Sequence, residues 1–225
     1  MPGLAGALNT SVDALLGYAA PPVTQYENRY DEKGFYWGLQ PNELCYEIMR
    51  LKPPVKPLRV LDIGCGEGKD AVFLARNGYA VTAFDAADTG IGKARTLAEK
   101  WGVRAELFKA DMLDYTPDRE YDIVFSSGVF HYLPRKRREP FIRALKAHTP
   151  AGGLHVINVF VEKPFILPAP DLEEKERQAE PWLSGELFTY YHDWLLHKTE
   201  ERVFDCSSGG TPHKHCMNIL IAEKV

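Results

Sequence analysis

The residues best suited to chemistry lie close together in Val60-Leu61-Asp62-Ile63-Gly64-Cys65-Gly66-Glu67-Gly68. Glycines at alternate positions let the backbone turn sharply and let a ligand approach the main chain with no Cβ in the way. Asp62 precedes them and Glu67 lies among them. A dinucleotide fingerprint has the spacing G-x-G-x-x-G and seats a pyrophosphate on a helix N-terminus. Here the spacing is G-x-G-x-G, and the carboxylates would repel a diphosphate. They suit a ligand with a cationic amino group, such as the methionine end of S-adenosylmethionine. A lone glycine loop can also be no more than a tight turn, but the D-x-G-x-G-x-G context argues against that here. Asp62, Gly64, Cys65, Gly66 and Gly68 are therefore candidate cofactor residues.

Further acids follow at useful places. Asp85 comes about 20 residues after the first glycine, where a carboxylate can accept both hydroxyls of a ribose. Ala86 adjoins it. Asp111 in Ala110-Asp111-Met112 can accept from an adenine amino group, with Met112 packed on the ring; the alternative is a capping aspartate beside a core methionine. Ser126 and Ser127 are small and polar, and they precede His131 and Tyr132 in Phe125-Ser126-Ser127-Gly128-Val129-Phe130-His131-Tyr132-Leu133. His131 and Tyr132 can either reach a substrate or cap the next helix.

These groups need a frame that brings them together. Leu58–Ile63, Ala80–Phe84, Ala105–Lys109, Tyr121–Phe125 and Leu154–Phe160 read as short apolar strands. Lys69–Asn77, Thr89–Trp101 and Arg138–His148 read as amphipathic helices between them. Strands alternating with helices pair in parallel through right-handed crossovers, which makes a doubly wound α/β fold. In such sheets ligands sit beyond the carboxyl ends of the strands, where each candidate group falls. The later part differs. Gly185–Leu195 reads as a short aromatic helix, and Leu196–Phe204 with Lys214–Glu223 as an antiparallel hairpin. Upstream, Pro41 suits the first position of a helix running to about Leu51. The aromatic segment Tyr26–Trp37 reads as a lid, with Tyr30 preferred beside the cofactor; plain core packing is the alternative for each ring. A short helix near Val12–Tyr18 and an exposed charged stretch at Asp171–Glu180 complete the reading. Residues 1–52 are expected to form an arm with lid helices and residues 53–225 the catalytic domain.

From Leu58 to Phe160 the chain resembles the class I S-adenosylmethionine-dependent methyltransferases, through the glycine loop, the strand-end acid, Ala110-Asp111-Met112 and Pro150-Ala151-Gly152-Gly153 in that order. Within them it is most similar to the TehB-type tellurite methyltransferases. That likeness rests on Asn77-Gly78-Tyr79-Ala80-Val81, on Tyr121–Ser126 and above all on Gly185-Glu186-Leu187-Phe188-Thr189-Tyr190-Tyr191-His192-Asp193-Trp194. The resemblance implies a Rossmann-like, seven-stranded, mostly parallel sheet with an antiparallel last strand. It also implies S-adenosyl-L-methionine as cofactor, S-adenosyl-L-homocysteine as product, and a small acceptor such as tellurite or selenium oxyanions. One departure stands out. Basic residues in the final hairpin hold the oxyanion in that family. Here the region reads Phe204-Asp205-Cys206-Ser207-Ser208, with basic groups only at His213, Lys214 and His215. The acceptor therefore stays open. A soft nucleophile needs no base, whereas an amine or hydroxyl acceptor needs one, and His131 or His192 can serve. Another small metabolite, an RNA or protein substrate, and a non-catalytic cofactor sensor remain as alternatives.

Bulk properties narrow the field. The chain has 225 residues and a net charge of −4, so it has no global reason to bind nucleic acid. No Asn-Pro-Pro-Tyr motif follows the fourth strand. Arg135-Lys136-Arg137-Arg138 reads as a solvated helix face. No uncharged apolar run is long enough for a membrane span. The four cysteines lack C-x-x-C spacing, which fits reduced thiols in the cytoplasm. His213 and His215 share one strand face while Cys216 takes the other, so no metal site is expected from these three without help from elsewhere. A monomer or homodimer acting on a small molecule, without membrane or nucleic acid, is the resulting expectation.

Overall fold

The computed structural model describes residue 24 and residues 26–167, 180–207 and 212–225. The expected Val12–Tyr18 helix and most of the charged Asp171–Glu180 stretch lie outside the described residues. Strands β1 (Arg59–Ile63), β2 (Ala80–Asp85), β3 (Glu106–Lys109), β4 (Ile123–Ser127) and β5 (Leu154–Phe160) form the parallel part of the sheet. β6 (Leu195–Cys206) and β7 (His213–Glu223) close it, β7 running antiparallel to both β5 and β6. The order is β3-β2-β1-β4-β5-β7-β6. It reverses direction at β1 and β4, and a crevice at such a switch point receives the ligand.

Alternation along β1 sets the two core layers. Val60 faces Leu44, Leu74 and Leu97. Those residues come from α2 (Glu43–Leu51), α3 (Lys69–Arg76) and α4 (Asp88–Trp101). Leu61 and Ile63 face Phe141, Ile142 and Leu145 of α5 (Arg135–Ala147). The strands carry long apolar runs because both faces of a parallel sheet are covered. α2 shares its apolar cluster with β1 and α3, so residues 43–51 are built into the same core.

Three local expectations change. The helix before Leu51 starts at Glu43, not Pro41, because the Asn42 side chain caps it by accepting from the Leu44 N–H at 2.9 Å. The helix expected over Gly185–Leu195 shrinks to α6 (Glu186–Thr189). Downstream of it, the Tyr191 hydroxyl bonds His155 Nδ1 at 2.8 Å, and the Trp194 ring packs 4.6 Å from the His155 ring. These contacts draw the segment onto the amino end of β5. Finally, Arg135–Arg138 is not a wholly solvated face. Arg138 is fully buried, ion-paired with Glu186 at 2.6 Å and stacked on Trp182. It also donates to the Glu180 and Leu133 carbonyls, so it clamps the 180–186 segment onto the domain.

Candidate active site

A cavity of about 480 Å³ opens at the carboxyl ends of β1, β2 and β4. That volume lies within the range of small-molecule and cofactor sites. Of the candidate residues, Tyr30, Gly64, Cys65, Gly66, Asp85 and Ala86 line it, as do Asp111, Met112 and Ser127. Asp62, Gly68, Ser126, His131 and His192 do not.

The floor is the glycine loop. Gly64 has φ +74°, and a Cβ there would lie 2.3 Å from Val129. Gly66 has φ +54°, and a Cβ there would lie 2.9 Å from the Tyr30 hydroxyl. Both positions need glycine for conformation and for space. Gly68 caps α3 and approaches Ala94 of α4, so its role is in packing. The Asp85 carboxylate holds the loop in place. It accepts from the Gly66 N–H and from the Ala87 N–H, each at 2.8 Å. A carboxylate offers about four lone-pair sites, so acceptor capacity is left for hydroxyls.

Carboxylates concentrate beneath and beside this floor. Asp62 is 2% exposed, and its Oδ2 has no hydrogen-bond partner. Burial pushes its carboxyl well up, and the charges of Asp70 and Asp85 push it further. Burial also raises Asp85, against the opposing pull of its backbone donors. Asp70 lines the cavity, accepts from the Asn42 N–H at 2.6 Å, and pairs with Lys69 at 2.9 Å. Three acids share one lysine here, and a cationic ligand would favour their ionised forms. The same field, after burial, raises the Cys65 thiol and keeps it protonated.

The roof is aromatic. In α1 (Tyr26–Asp31), Tyr30 is buried, stacks on Tyr26 at 5.3 Å and accepts from Trp37 Nε1 at 3.1 Å. The Tyr26 and Tyr132 hydroxyls meet at 3.1 Å, joining the roof to the loop after β4. Two acids fasten this roof. Glu27 accepts from the Asp88 and Thr89 N–H groups at the start of α4, at 2.7 and 3.0 Å. Glu67 is buried, accepts from the Trp37 N–H at 3.3 Å and pairs with Lys93 at 2.9 Å. Glu67 therefore staples the aromatic roof and does not line the cavity, contrary to the electrostatic role expected of it.

Both candidate bases lie outside the cavity. His131 is buried with no partner for Nδ1, its ring against Tyr132 and Phe160. Burial, with a smaller contribution from His215, pushes it down to about 3. His192 is exposed in the turn after α6, near the amino end of β5 and at the opposite end of the sheet. It follows Tyr191, whose bond to His155 fixes that position. Ser126 is buried under β1 and donates to the Ile63 carbonyl at 2.9 Å, which makes it a strand-pairing residue. Asp111 accepts from the Leu113 N–H at 2.8 Å, so the capping geometry is present while the residue also lines the cavity.

Sequence reasoning missed Asp70 and Asn42. An acid in the first turn of a helix reads as a complement to the helix dipole, which hides Asp70. Asn42 bonds Ser127 Oγ at 2.9 Å while capping α2, a link across 85 residues without a local signature.

This strand order, with a glycine-floored, acid-flanked cavity at its switch point, is the class I S-adenosylmethionine-dependent methyltransferase fold. The structure of magnesium protoporphyrin IX methyltransferase from Synechocystis PCC 6803 with bound S-adenosylhomocysteine shares it. The TM-score is 0.60 at 16% identity, covering 92% of this chain and 91% of that one. The structure of TehB from Haemophilus influenzae superposes with a TM-score of 0.71 at 24% identity, covering 89% and 66%. Residues 40–209 match the family described as Tellurite resistance protein TehB, and the chain belongs to that family. A probable S-adenosyl-L-methionine-dependent methyltransferase TehB from Haemophilus influenzae is 26% identical over 205 residues, 87% of this chain. A ubiquinone biosynthesis O-methyltransferase from Rickettsia felis is 29% identical over 145 residues, 62% of this chain. The chain spans 66% and 59% of the lengths of these two relatives.

Proposed function

We propose that the chain transfers a methyl group from S-adenosyl-L-methionine to a small, soft acceptor, with tellurium and selenium oxyanions the first class to test. The observation that carries this reading is the unbalanced carboxylate set around a side-chain-free floor. Asp62 keeps a buried oxygen without a partner beneath the glycine loop, and Asp70 and Asp85 line the cavity beside that loop. These features fit a cationic nucleoside. Gly64, Gly66 and Asp85 would hold it from below, Asp111 and Met112 at the far wall, and Tyr30 from above. When bound, the cofactor supplies an electrophilic methyl on a sulfonium centre with a neutral leaving group.

The residues then have three tasks. The aromatic roof excludes water and offers ring faces to positive charge, at about 1 kcal/mol per favourable ring. The loop after β4 aligns the acceptor, and Val129, Tyr132 and Phe160 give that end a largely apolar wall. Proton removal has no imidazole to perform it on the cavity wall among the described residues. His131 lies behind Phe160 and is too weakly basic to take a proton at neutral pH. An acceptor that attacks through a lone pair without losing a proton suits such a site best, and this favours chalcogen oxyanions and thiolates over amines and alcohols. The absence of a Cβ at Gly66 and the carboxylate at Asp85 are the features to test first. By calorimetry, Gly66→Val is expected to weaken S-adenosylmethionine binding by about a hundredfold, or 2.7 kcal/mol. Asp85→Ala is expected to weaken it by about tenfold or more, having lost both the loop anchor and the acceptor. Parent-like binding in both variants would overturn the site. A labelled-methyl assay across tellurite, selenite, thiols and amines then identifies the acceptor.

A further inference from the structure

We propose that Cys206, His213 and His215 form a binding site for one thiophilic divalent cation of the zinc class at the rim of the cavity. The β6–β7 hairpin assembles it. Cys206 on β6 stands directly opposite His213 on β7. Residues paired this way project on the same side of the sheet, and so does His215 two positions further along. One ligand atom from each lies within 4.8 Å of the other two, and the two imidazole Nε2 atoms are 2.8 Å apart. Zinc bonds sulfur at about 2.3 Å and imidazole nitrogen at about 2.0–2.1 Å, so a tetrahedral site needs donor separations of roughly 3.4 Å. Side-chain adjustments of about an ångström reach that arrangement. The residues between, Asp205 and Lys214, turn to the other face and pair with each other at 2.6 Å.

The donor chemistry is specific. One sulfur and two imidazoles suit zinc and its soft neighbours, and they discriminate against magnesium and calcium, which prefer oxygen. On binding, Cys206 gives its thiol proton to solvent, and the imidazole that bears hydrogen on Nε2 carries it on Nδ1 instead. Three protein ligands leave a fourth position open to water or another donor atom. The site adjoins the cavity: His215 packs 4.7 Å from the ring of Phe160, and Met217, next on the same strand face, lines the cavity as Phe160 does. Holding a soft acceptor at the open position is a role that depends on the methyl-transfer reading; the cation site itself does not.

The test uses the full chain, stripped with a chelator and titrated with Co²⁺ as a spectroscopic probe, then with Zn²⁺ as competitor. One Co²⁺ per chain with a thiolate-to-metal charge-transfer band is expected, and Zn²⁺ displaces it. Cys206→Ser abolishes the band and Cys216→Ala retains it. His213→Ala and His215→Ala each weaken Zn²⁺ by about tenfold or more. X-ray absorption of the zinc-loaded parent, which needs no variant, gives one sulfur and two imidazole scatterers. Absence of the band, its survival in Cys206→Ser, or a shell of nitrogen and oxygen alone overturns the proposal. Gly66→Val separates the two readings, because it removes cofactor binding and leaves the cobalt band in place.

Discussion

At the level of single residues, Asp62 carries a cost that a cationic ligand would offset. Its carboxylate is buried, one oxygen lacks a donor, and two further acids stand close by. A carboxyl whose folded-state value is raised contributes stability below its unfolded value, and that contribution is lost as pH rises through the folded value. At neutral pH the group therefore costs the free protein stability, since the unfolded chain ionises it more readily than the folded chain does. Asp62→Asn is expected to raise the melting temperature at pH 7 by a few degrees, about 2–4 °C per kcal/mol, while weakening S-adenosylmethionine binding. The gain shrinks on acidification, because the unfolded parent then takes up the same proton. Calorimetric scans at several pH values check both the sign and the trend; a lower melting temperature for the variant at pH 7 contradicts the account. Gly66 shows a different kind of legibility. Its need for positive φ and for an absent Cβ follows from the loop spacing, but the tyrosine that fills the space above it comes from 36 residues earlier in the chain and is visible only in the fold.

At the level of elements, the decisive feature is how α1 is fastened over the glycine loop. α1 has six residues, too few to hold as an isolated helix. It docks because Glu27 satisfies the first N–H groups of α4 and because Tyr30 is buried against Gly66 and Gly90. Glu27→Gln keeps the shape and removes the charge at the helix terminus, at a cost of about 0.3–1 kcal/mol. Its expected result is faster hydrogen exchange in residues 26–31 and weaker cofactor binding, with the global melting temperature little changed. Arg138 illustrates the opposite case. It is buried and binds Glu186 and the carbonyls of Leu133, Glu180 and Pro181, so Arg138→Ala leaves a carboxylate and carbonyls short of donors. A loss of about 3–5 kcal/mol is expected in denaturant unfolding, with cofactor affinity affected only through folding. In sequence the four basic residues at 135–138 read alike. Only the angular position of Arg138 on α5, beneath Trp182, singles it out.

At the level of the whole molecule, acid and ligand each shift the balance between the folded and unfolded chain. His131 and His155 are both pushed down to about 3 from 6.5, chiefly by burial. The unfolded chain therefore takes up protons on these imidazoles between about 6.5 and 3 that the folded chain refuses. Stability is expected to fall as pH drops through that window, opposite in sign to the Asp62 contribution. His131→Asn should flatten the slope; thermal scans from pH 7 to 4 compare the two. Cofactor binds only the folded state, so a concentration about a hundred times Kd should add about 2.7 kcal/mol of stability. Among the described residues, no helix is long and apolar enough to cross a membrane.

Local periodicity and glycine spacing sufficed to establish the alternation of strands and helices, the cavity's place at the strand ends and most of its floor. Those features depend on near neighbours in the chain, whose side-chain pattern and backbone freedom the residue types dictate. Packing between distant segments settled the rest. It sent His192 to the far end of the sheet, turned Glu67 to Trp37 and Lys93, and brought Asn42 to Ser127. It also supplied Cys206 opposite His213, where the strand face of His213 and His215 alone offers only two donors. Each of these outcomes depends on which strand lies beside which and in what register, and the energy that selects a register is summed over the whole buried core.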